Sequence, residues 1–162
     1  MLIGFMAAGK TAVGRALASK LGFEFCDTDD MVISASGRTV EEIFAAEGEP
    51  GFRDLERDAV VRAAARAGRV IACGGGAVLS VRNYGVLKGA GPIVYLRTSA
   101  DELIARLGSG EGRPLLRGDP QEAVPRMLKE RAPAYETAAD LVVDTDGREP
   151  GDVASEIAER LA

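Results

Sequence analysis

The chain has 162 residues, a formal net charge of −5 and 46% hydrophobic residues, which fits one soluble globular domain with a substantial core. The net negative charge argues against a general attraction for nucleic acid, and no apolar run is long enough to span a membrane. There is no histidine, and the two cysteines are far apart in the sequence, so neither a histidine base nor a zinc-binding pattern is present. Reduced cysteines without a signal peptide predict a cytoplasmic protein.

The apolar pattern predicts strands that alternate with helices along the whole chain. Short continuous apolar runs, typical of strands covered on both faces, occupy residues 1–3, 24–27, 70–73, 93–96 and 141–144. Helical patterns occupy residues 10–21, 30–36, 40–46, 51–67, 81–87, 100–107, 120–136 and 151–161. This alternation predicts a single α/β domain over residues 1–162, with a doubly wound parallel sheet that binds ligands at the carboxyl ends of its strands.

The first predicted strand runs into a phosphate-binding loop. The segment Gly4-Phe5-Met6-Ala7-Ala8-Gly9-Lys10-Thr11 matches the pattern G-x-x-x-x-G-K-[ST]. Gly4 and Gly9 let the backbone curl so that successive N–H groups point at a phosphate, and the next helix adds its positive end. Lys10 supplies a cation, and Thr11 supplies an oxygen for Mg²⁺. A chance glycine-rich turn is the alternative, but the strand–loop–helix context favours a protein that binds a nucleoside triphosphate.

Two carboxylates, Asp27 and Asp29, follow the second predicted strand. At the exit of a strand beside a phosphate loop, one can hold Mg²⁺ through water and the other can orient or deprotonate an acceptor hydroxyl. The alternative is a helix N-cap, since aspartate is favoured there and a helix follows. The N-cap role is the better interpretation for Asp30.

Three further features are typical of a ligand-binding cleft. Gly74-Gly75-Gly76 follows the third predicted strand, where glycines let the backbone approach a ligand; a tight turn, the alternative, needs only one glycine. Arg53 and Glu56 are spaced to pair on one helix face, which would fix the arginine for a bidentate grip on a carboxylate, although a surface ion pair is more common. The glycine-rich stretch 108–114 predicts a flexible lid that carries Arg113.

Several of these motifs occur in an order that is specific to one family. They are the phosphate loop, Asp27-Thr28-Asp29, Gly37-Arg38 with Ile43-Phe44, residues 48–56 with Phe52-Arg53, Gly74-Gly75-Gly76-Ala77-Val78, Arg113-Pro114-Leu115-Leu116 and Arg131-Ala132-Pro133-Ala134-Tyr135. In this respect the chain resembles the shikimate kinases nearly from end to end. The resemblance implies a three-layer α/β/α phosphate-loop kinase fold with a five-stranded parallel sheet of order 2-3-1-4-5. It also implies a substrate-binding region near residues 28–56 and a lid near residues 108–120.

The resemblance further implies transfer of the γ-phosphate of MgATP to the 3-hydroxyl of shikimate, by a monomer acting in chorismate and aromatic amino-acid biosynthesis. The implied nucleotide-binding residues are Gly4, Met6, Ala7, Ala8, Gly9, Lys10, Thr11, Ala12, Arg106, Arg113, Arg148 and Pro150. The implied substrate-binding residues are Asp29, Arg53, Glu56, Gly74, Gly75, Gly76 and Arg131, and the implied Mg²⁺ residues are Thr11 and Asp27. Lys10, Asp29 and Arg113 are the implied catalytic residues, with Asp29 as the base. Tyr135 is expected only to pack.

The sequence departs from the family's pattern at three places. Ala7 stands where a third loop glycine is usual, Ala12 replaces a second hydroxyl, and Ala72-Cys73 replaces Ser-Leu. Because a left-handed backbone conformation disfavours alanine, we expect a negative φ at Ala7 and a slightly stiffer loop.

Three alternative functions are considered. A kinase for another acceptor, such as gluconate, would not be expected to combine Phe52-Arg53, the triple glycine and Arg131. A catalytically silent nucleotide-binding module is disfavoured because Asp29 and Arg113 are retained with both substrate arginines. A GTPase is disfavoured because no Asn-Lys-x-Asp segment is present.

Overall fold

A computed structural model of the chain describes residues 1–108, 116 and 119–162. The strands are β1 (Leu2–Ile3), β2 (Glu24–Asp27), β3 (Arg69–Ala72), β4 (Val94–Arg97) and β5 (Leu141–Asp144). The helices are α1 (Lys10–Leu21), α2 (Thr28–Ser36), α3 (Val40–Ala64), α4 (Val81–Ala90), α5 (Ala100–Leu107), α6 (Pro120–Ala138) and α7 (Pro150–Arg160), with a 3-10 turn at Ala77–Leu79. Most of the predicted lid lies outside the described residues.

The strands form one five-stranded parallel sheet in the order β2-β3-β1-β4-β5, which confirms the predicted topology. Consecutive residues of a strand point to opposite faces of the sheet. In β4, Val94, Tyr95 and Leu96 are all buried, so helices cover both faces. Among them, α1 packs against α7 and α3 packs against α4. The fold is therefore the expected three-layer α/β/α arrangement.

The turn between β1 and α1 leaves the start of α1 open to a ligand. Gly9 precedes the helix with a left-handed φ of 91°, and no side chain caps the helix there. The first turn of α1 also contains no acidic residue. Because the first N–H groups of a helix have no partner within it and carry partial positive charge, this end of α1 is suited to an anion.

The helices α2 and α3 carry the predicted substrate-binding region on a small core of their own. Val32, Ile43, Phe52 and Ala59 form a buried cluster separate from the main core. Two helices were predicted over the α3 segment, at residues 40–46 and 51–67, and α3 does break at Gly48, where φ is 68° and ψ is −171°. This break sets the direction of the second half of α3, which carries the predicted substrate arginine.

The helix α2 begins at Thr28, two residues earlier than predicted. The physical reason is the side chain of Asp27, which accepts a hydrogen bond of 3.0 Å from the backbone N–H of Asp29 and so caps the helix. The N-cap interpretation therefore applies to Asp27, and was wrong for Asp30, which lies inside the first turn.

Candidate active site

The phosphate loop closes around the side chain of Lys10. The Lys10 Nζ donates hydrogen bonds of 2.9 Å to the Gly4 carbonyl and 2.7 Å to the Phe5 carbonyl. Gly4 has a φ of 144°, and a Cβ there would lie 2.7 Å from the carbonyl oxygen of Leu96. Glycine is thus required at this position both by conformation and by the close approach of β4.

The expected negative φ at Ala7 was wrong. Ala7 has a φ of 62°. Among the described residues, it is the only residue other than glycine with a positive φ. The left-handed conformation costs an L-residue about 1–2 kcal/mol, so the surrounding loop must impose it. The Ala7 carbonyl accepts a hydrogen bond of 3.4 Å from Arg106 Nη1.

The loop and the end of β2 meet through two oxygens. Thr11 Oγ1 donates a hydrogen bond of 2.9 Å to Asp27 Oδ2, while the other oxygen of the same carboxylate caps α2. Asp27 therefore has a structural role and also faces the phosphate loop. Within residues 1–108, 116 and 119–162, no group of three or more acidic or cysteine side chains could hold a metal. Mg²⁺, however, is usually bound by one or two protein oxygens with substrate phosphates and waters, so the Thr11–Asp27 pair fits it.

Arg53 and Glu56 form a partly buried ion pair on the second half of α3. Arg53 Nη1 donates to Glu56 Oε2 at 2.8 Å, and the Glu56 side chain is only 1% exposed. Arg53 also donates to Glu49 Oε1 through Nη2 at 2.8 Å and Nε at 3.1 Å. Burial raises the pKa of Glu56, the Arg53 charge opposes that rise, and the neighbouring Asp29 adds to it. The pair is not the exposed surface pair considered as the alternative.

The triple glycine makes room for these side chains. A Cβ at Gly74 would lie 2.7 Å from both Asp29 Oδ1 and Glu56 Oε1, and a Cβ at Gly76 would lie 2.5 Å from both terminal nitrogens of Arg53. Two of the three glycines are therefore explained by close contact with the candidate site, which a simple tight turn would not require.

One further residue holds the glycine segment in place. The hydroxyl of Thr28, which is fully buried, accepts a hydrogen bond of 2.9 Å from the Gly74 N–H. Sequence reasoning missed this residue. Its position between the two predicted site aspartates was the available signal.

Arg131 and Tyr135 approach the glycine segment from α6. The Arg131 guanidinium lies 5.9 Å from the centre of the Phe5 ring. The buried hydroxyl of Tyr135 donates a hydrogen bond to the Gly75 carbonyl. Burial raises the pKa of Tyr135 to about 12, and the charges of Arg131 and Arg53 oppose the rise, so both arginines act at the same end of the sheet. Tyr135 does more than pack.

A cavity of about 470 Å³ adjoins the phosphate loop on the side of α5 and α7. Among the residues that line it are six that the resemblance implies, namely Ala8, Gly9, Ala12, Arg106, Arg148 and Pro150. Residues that were not predicted also line it, namely Glu102, Val13, Thr145, Gly147, Glu149 and Val153. Arg106 Nη2 donates to the Thr145 carbonyl at 3.1 Å and Arg148 Nη1 to the Asp144 carbonyl at 2.9 Å. The predicted Arg113 lies outside the described residues.

Comparison with known proteins identifies the family. A family model described as shikimate kinase matches residues 6–162. The chain belongs to the shikimate kinase family. It is 46% identical to a shikimate kinase from Moorella thermoacetica over 99% of this chain and 92% of that protein. It is 47% identical to a shikimate kinase from Symbiobacterium thermophilum over 99% of this chain and 94% of that protein.

A solved shikimate kinase has the same fold. The structure from Acinetobacter baumannii, solved in complex with shikimate, superimposes with a TM-score of 0.95 at 37% identity, covering 99% of this chain and 90% of that one. Shikimate kinases are phosphotransferases that use ATP, and this is the activity that the comparisons support for the chain. No helix in the described part of the chain is long and apolar enough to cross a membrane.

Proposed function

We propose that the chain transfers the γ-phosphate of ATP to the 3-hydroxyl of shikimate, with Asp29 as the base. One observation carries the proposal. Asp29 Oδ1 and Glu56 Oε1 both approach Gly74, and the same glycine segment contacts the phosphate loop, since a Cβ at Gly75 would lie 3.4 Å from the Met6 backbone nitrogen. A proton acceptor, a fixed arginine and a phosphate-binding loop thus adjoin one short segment.

Arg53 and Arg131 are proposed to bind the carboxylate of shikimate. A guanidinium has five N–H donors. Arg53 uses three of them, one toward Glu56 and two toward Glu49, so that one N–H of Nη1 and one of Nη2 remain for a substrate carboxylate. The buried carboxylate of Glu56 fixes the orientation of the guanidinium, which suits recognition of a planar carboxylate.

Thr11 and Asp27 are proposed to hold Mg²⁺, Thr11 directly and Asp27 through water. Their side-chain oxygens lie 2.9 Å apart beside the loop and are of the kind that Mg²⁺ prefers. When bound with ATP, the ion neutralises charge on the phosphate oxygens.

Lys10 and Asp29 are proposed to act on the reacting groups. Lys10, which now donates to two loop carbonyls, would donate to the β- and γ-phosphates instead. Asp29 would accept the proton of the 3-hydroxyl as the oxygen–phosphorus bond to shikimate forms and the bond to the leaving ADP breaks. Such a reaction depends on positioning and on charge neutralisation more than on covalent catalysis.

The cavity beside α5 is proposed to take the adenosine end of ATP. Arg106 and Arg148 line it with Pro150, and both guanidiniums are held by backbone carbonyls. A planar guanidinium held in this way can stack on a purine base.

The test is ADP release measured with shikimate, with gluconate and with water alone, for the wild type and for Arg53→Ala. We expect release to depend on shikimate, and the variant to raise the shikimate KM roughly 30- to 1000-fold, as for loss of a charge-assisted pair, with little change in the KM for ATP. Arg57→Ala is the matched control, because Arg57 lies one turn later on α3 in a more exposed pair with Asp54. Equal release with gluconate or water, or equal effects of the two variants, would contradict the proposal.

A further inference from the structure

Tyr135 connects two parts of the proposed substrate site. It is fully buried on α6, its ring centre lies 5.2 Å from that of Tyr95, and its hydroxyl donates to the Gly75 carbonyl across 60 positions of sequence. A buried tyrosine hydroxyl needs a hydrogen-bond partner, and this bond supplies one. The partner, however, belongs to the segment that contacts Arg53 and the phosphate loop.

The Gly75–Gly76 peptide has little intrinsic restraint. Glycine on both sides leaves a peptide group free to rotate, since neither residue has a Cβ to disfavour the alternative dihedral angles. Cis peptide bonds are absent from the described residues, and in a planar trans peptide the carbonyl and the following N–H point in opposite directions. A hydrogen bond that holds the Gly75 carbonyl toward α6 therefore directs the Gly76 N–H away from α6.

The same hydroxyl is connected to the proposed carboxylate-binding arginines. Arg131 precedes Tyr135 by one helical turn on α6, and the charges of Arg131 and Arg53 both lower the pKa of the Tyr135 hydroxyl. Because burial raises the pKa of Tyr135 to about 12, the hydroxyl remains a donor over the whole neutral range. Because Arg131 and Tyr135 lie on the same helix, a movement of α6 would displace Arg131 and, through the Tyr135 hydrogen bond, the Gly75 carbonyl together.

We propose that Tyr135 is a positioning residue for the acceptor site, whose hydroxyl fixes the orientation of the Gly75–Gly76 peptide and keeps Arg131 aligned with it. The inference rests on the proposed assignment of Arg131 and the glycine segment to shikimate binding. Tyr135 acts through these groups and does not itself contact the reacting atoms.

The test is Tyr135→Phe, which keeps the buried ring and removes only the hydroxyl. We expect the KM for shikimate to rise roughly three- to tenfold, as for loss of one neutral hydrogen bond, with little change in kcat and in the KM for ATP. Tyr95→Phe is the matched control. Tyr95 is equally buried and packs on the same ring, but it lines a separate cavity of about 310 Å³ with Arg97 and Asp144.

A purely structural role for the hydroxyl predicts a different result. It would lower the melting temperature and either raise the KM values of shikimate and ATP alike or leave both KM values unchanged. Each of these results would overturn the inference, and so would a shikimate-specific effect of Tyr95→Phe. Arg131→Ala in the same assay distinguishes a failure of the role inferred for Tyr135 from a failure of the proposed shikimate site. If it raises the shikimate KM while Tyr135→Phe does not, only this inference fails. If Arg131→Ala leaves the shikimate KM unchanged, the proposed site assignment fails, and this inference fails with it.

Discussion

Adding a methyl group at Gly76 is expected to weaken the proposed binding of the shikimate carboxylate by Arg53 without unfolding the protein. The backbone at Gly76 has a φ of −106° and a ψ of −3°, in the bridge region, which is sparsely populated but allowed for alanine. The added Cβ would lie 2.5 Å from Arg53 Nη1 and Nη2. An ordinary contact begins near 3.4 Å, so the guanidinium must move by about 1 Å.

That displacement sets the expected size of the effect. A misplacement of about 1 Å in a positioning group can cost roughly 100-fold in rate, so we expect Gly76→Ala to lower kcat/KM for shikimate by about 10- to 100-fold. The Arg53 side chain is 25% exposed and can move outward, so the melting temperature should change little. The assay is ADP release at varied shikimate with saturating ATP.

Two comparisons make the result decisive. Gly85→Ala is the control, because a Cβ at Gly85 in α4 has no heavy atom within 4 Å, and activity should be unchanged. In an Arg53→Ala background, Gly76→Ala should have no further effect on the shikimate KM. Wild-type kinetics for Gly76→Ala, or a full additional loss in the Arg53→Ala background, would refute the argument that this glycine acts through Arg53.

Three other changes give separate tests. Asp29→Asn should lower turnover strongly while calorimetry finds shikimate binding mostly retained, because asparagine keeps the shape of the side chain but is not a proton acceptor. Near wild-type turnover would exclude Asp29 as the base. Ala7→Gly should leave the free energy of unfolding unchanged or raise it by up to about 1 kcal/mol, since relief of the left-handed strain offsets the entropy of glycine. The control, Ala45→Gly in the exposed part of α3, should lower the free energy of unfolding by about 1 kcal/mol. Similar losses for both variants in denaturant titrations would be inconsistent with strain at Ala7. Because the native pKa of Glu56 is raised, its contribution to stability is fully present below the ordinary glutamate pKa and is lost as pH rises through the native value. The stability of the wild type relative to Glu56→Gln should therefore fall over that interval in pH-dependent unfolding, and a constant difference would contradict the raised pKa.

The fold could be predicted from the sequence because its signals are local. The strand–loop–helix pattern around Lys10 and the alternation of apolar runs depend only on neighbours in the chain, and both are confirmed. The start of α2 was missed for a local reason as well, since Asp27 fits two roles and the cap determines where the helix begins. The conformation of Ala7 was predicted wrongly because residue preference was weighed without the loop geometry that overrides it.

The site could be predicted in composition but not in its contacts. The triple glycine was expected to admit a ligand, while its crowding by Asp29, Glu56 and Arg53 arises from α2 and α3, far away in the sequence. Tyr135 carried no pattern beyond its spacing from Arg131, because a hydrogen bond to a backbone carbonyl 60 residues away leaves no trace in local sequence. Interactions of this kind depend on the topology that brings the carboxyl ends of β1 and β3 beside α6.

The uncapped start of α1 links the stability of this protein to the binding of its proposed nucleotide. With neither a capping side chain nor an acidic residue in its first turn, α1 would be completed by the phosphates of the proposed nucleotide, which the unfolded chain cannot bind in the same way. A ligand present at 100 times its Kd adds about 2.7 kcal/mol to the free energy of unfolding. The free energy of unfolding should therefore rise with the concentration of nucleotide, without any change in the contacts within the chain.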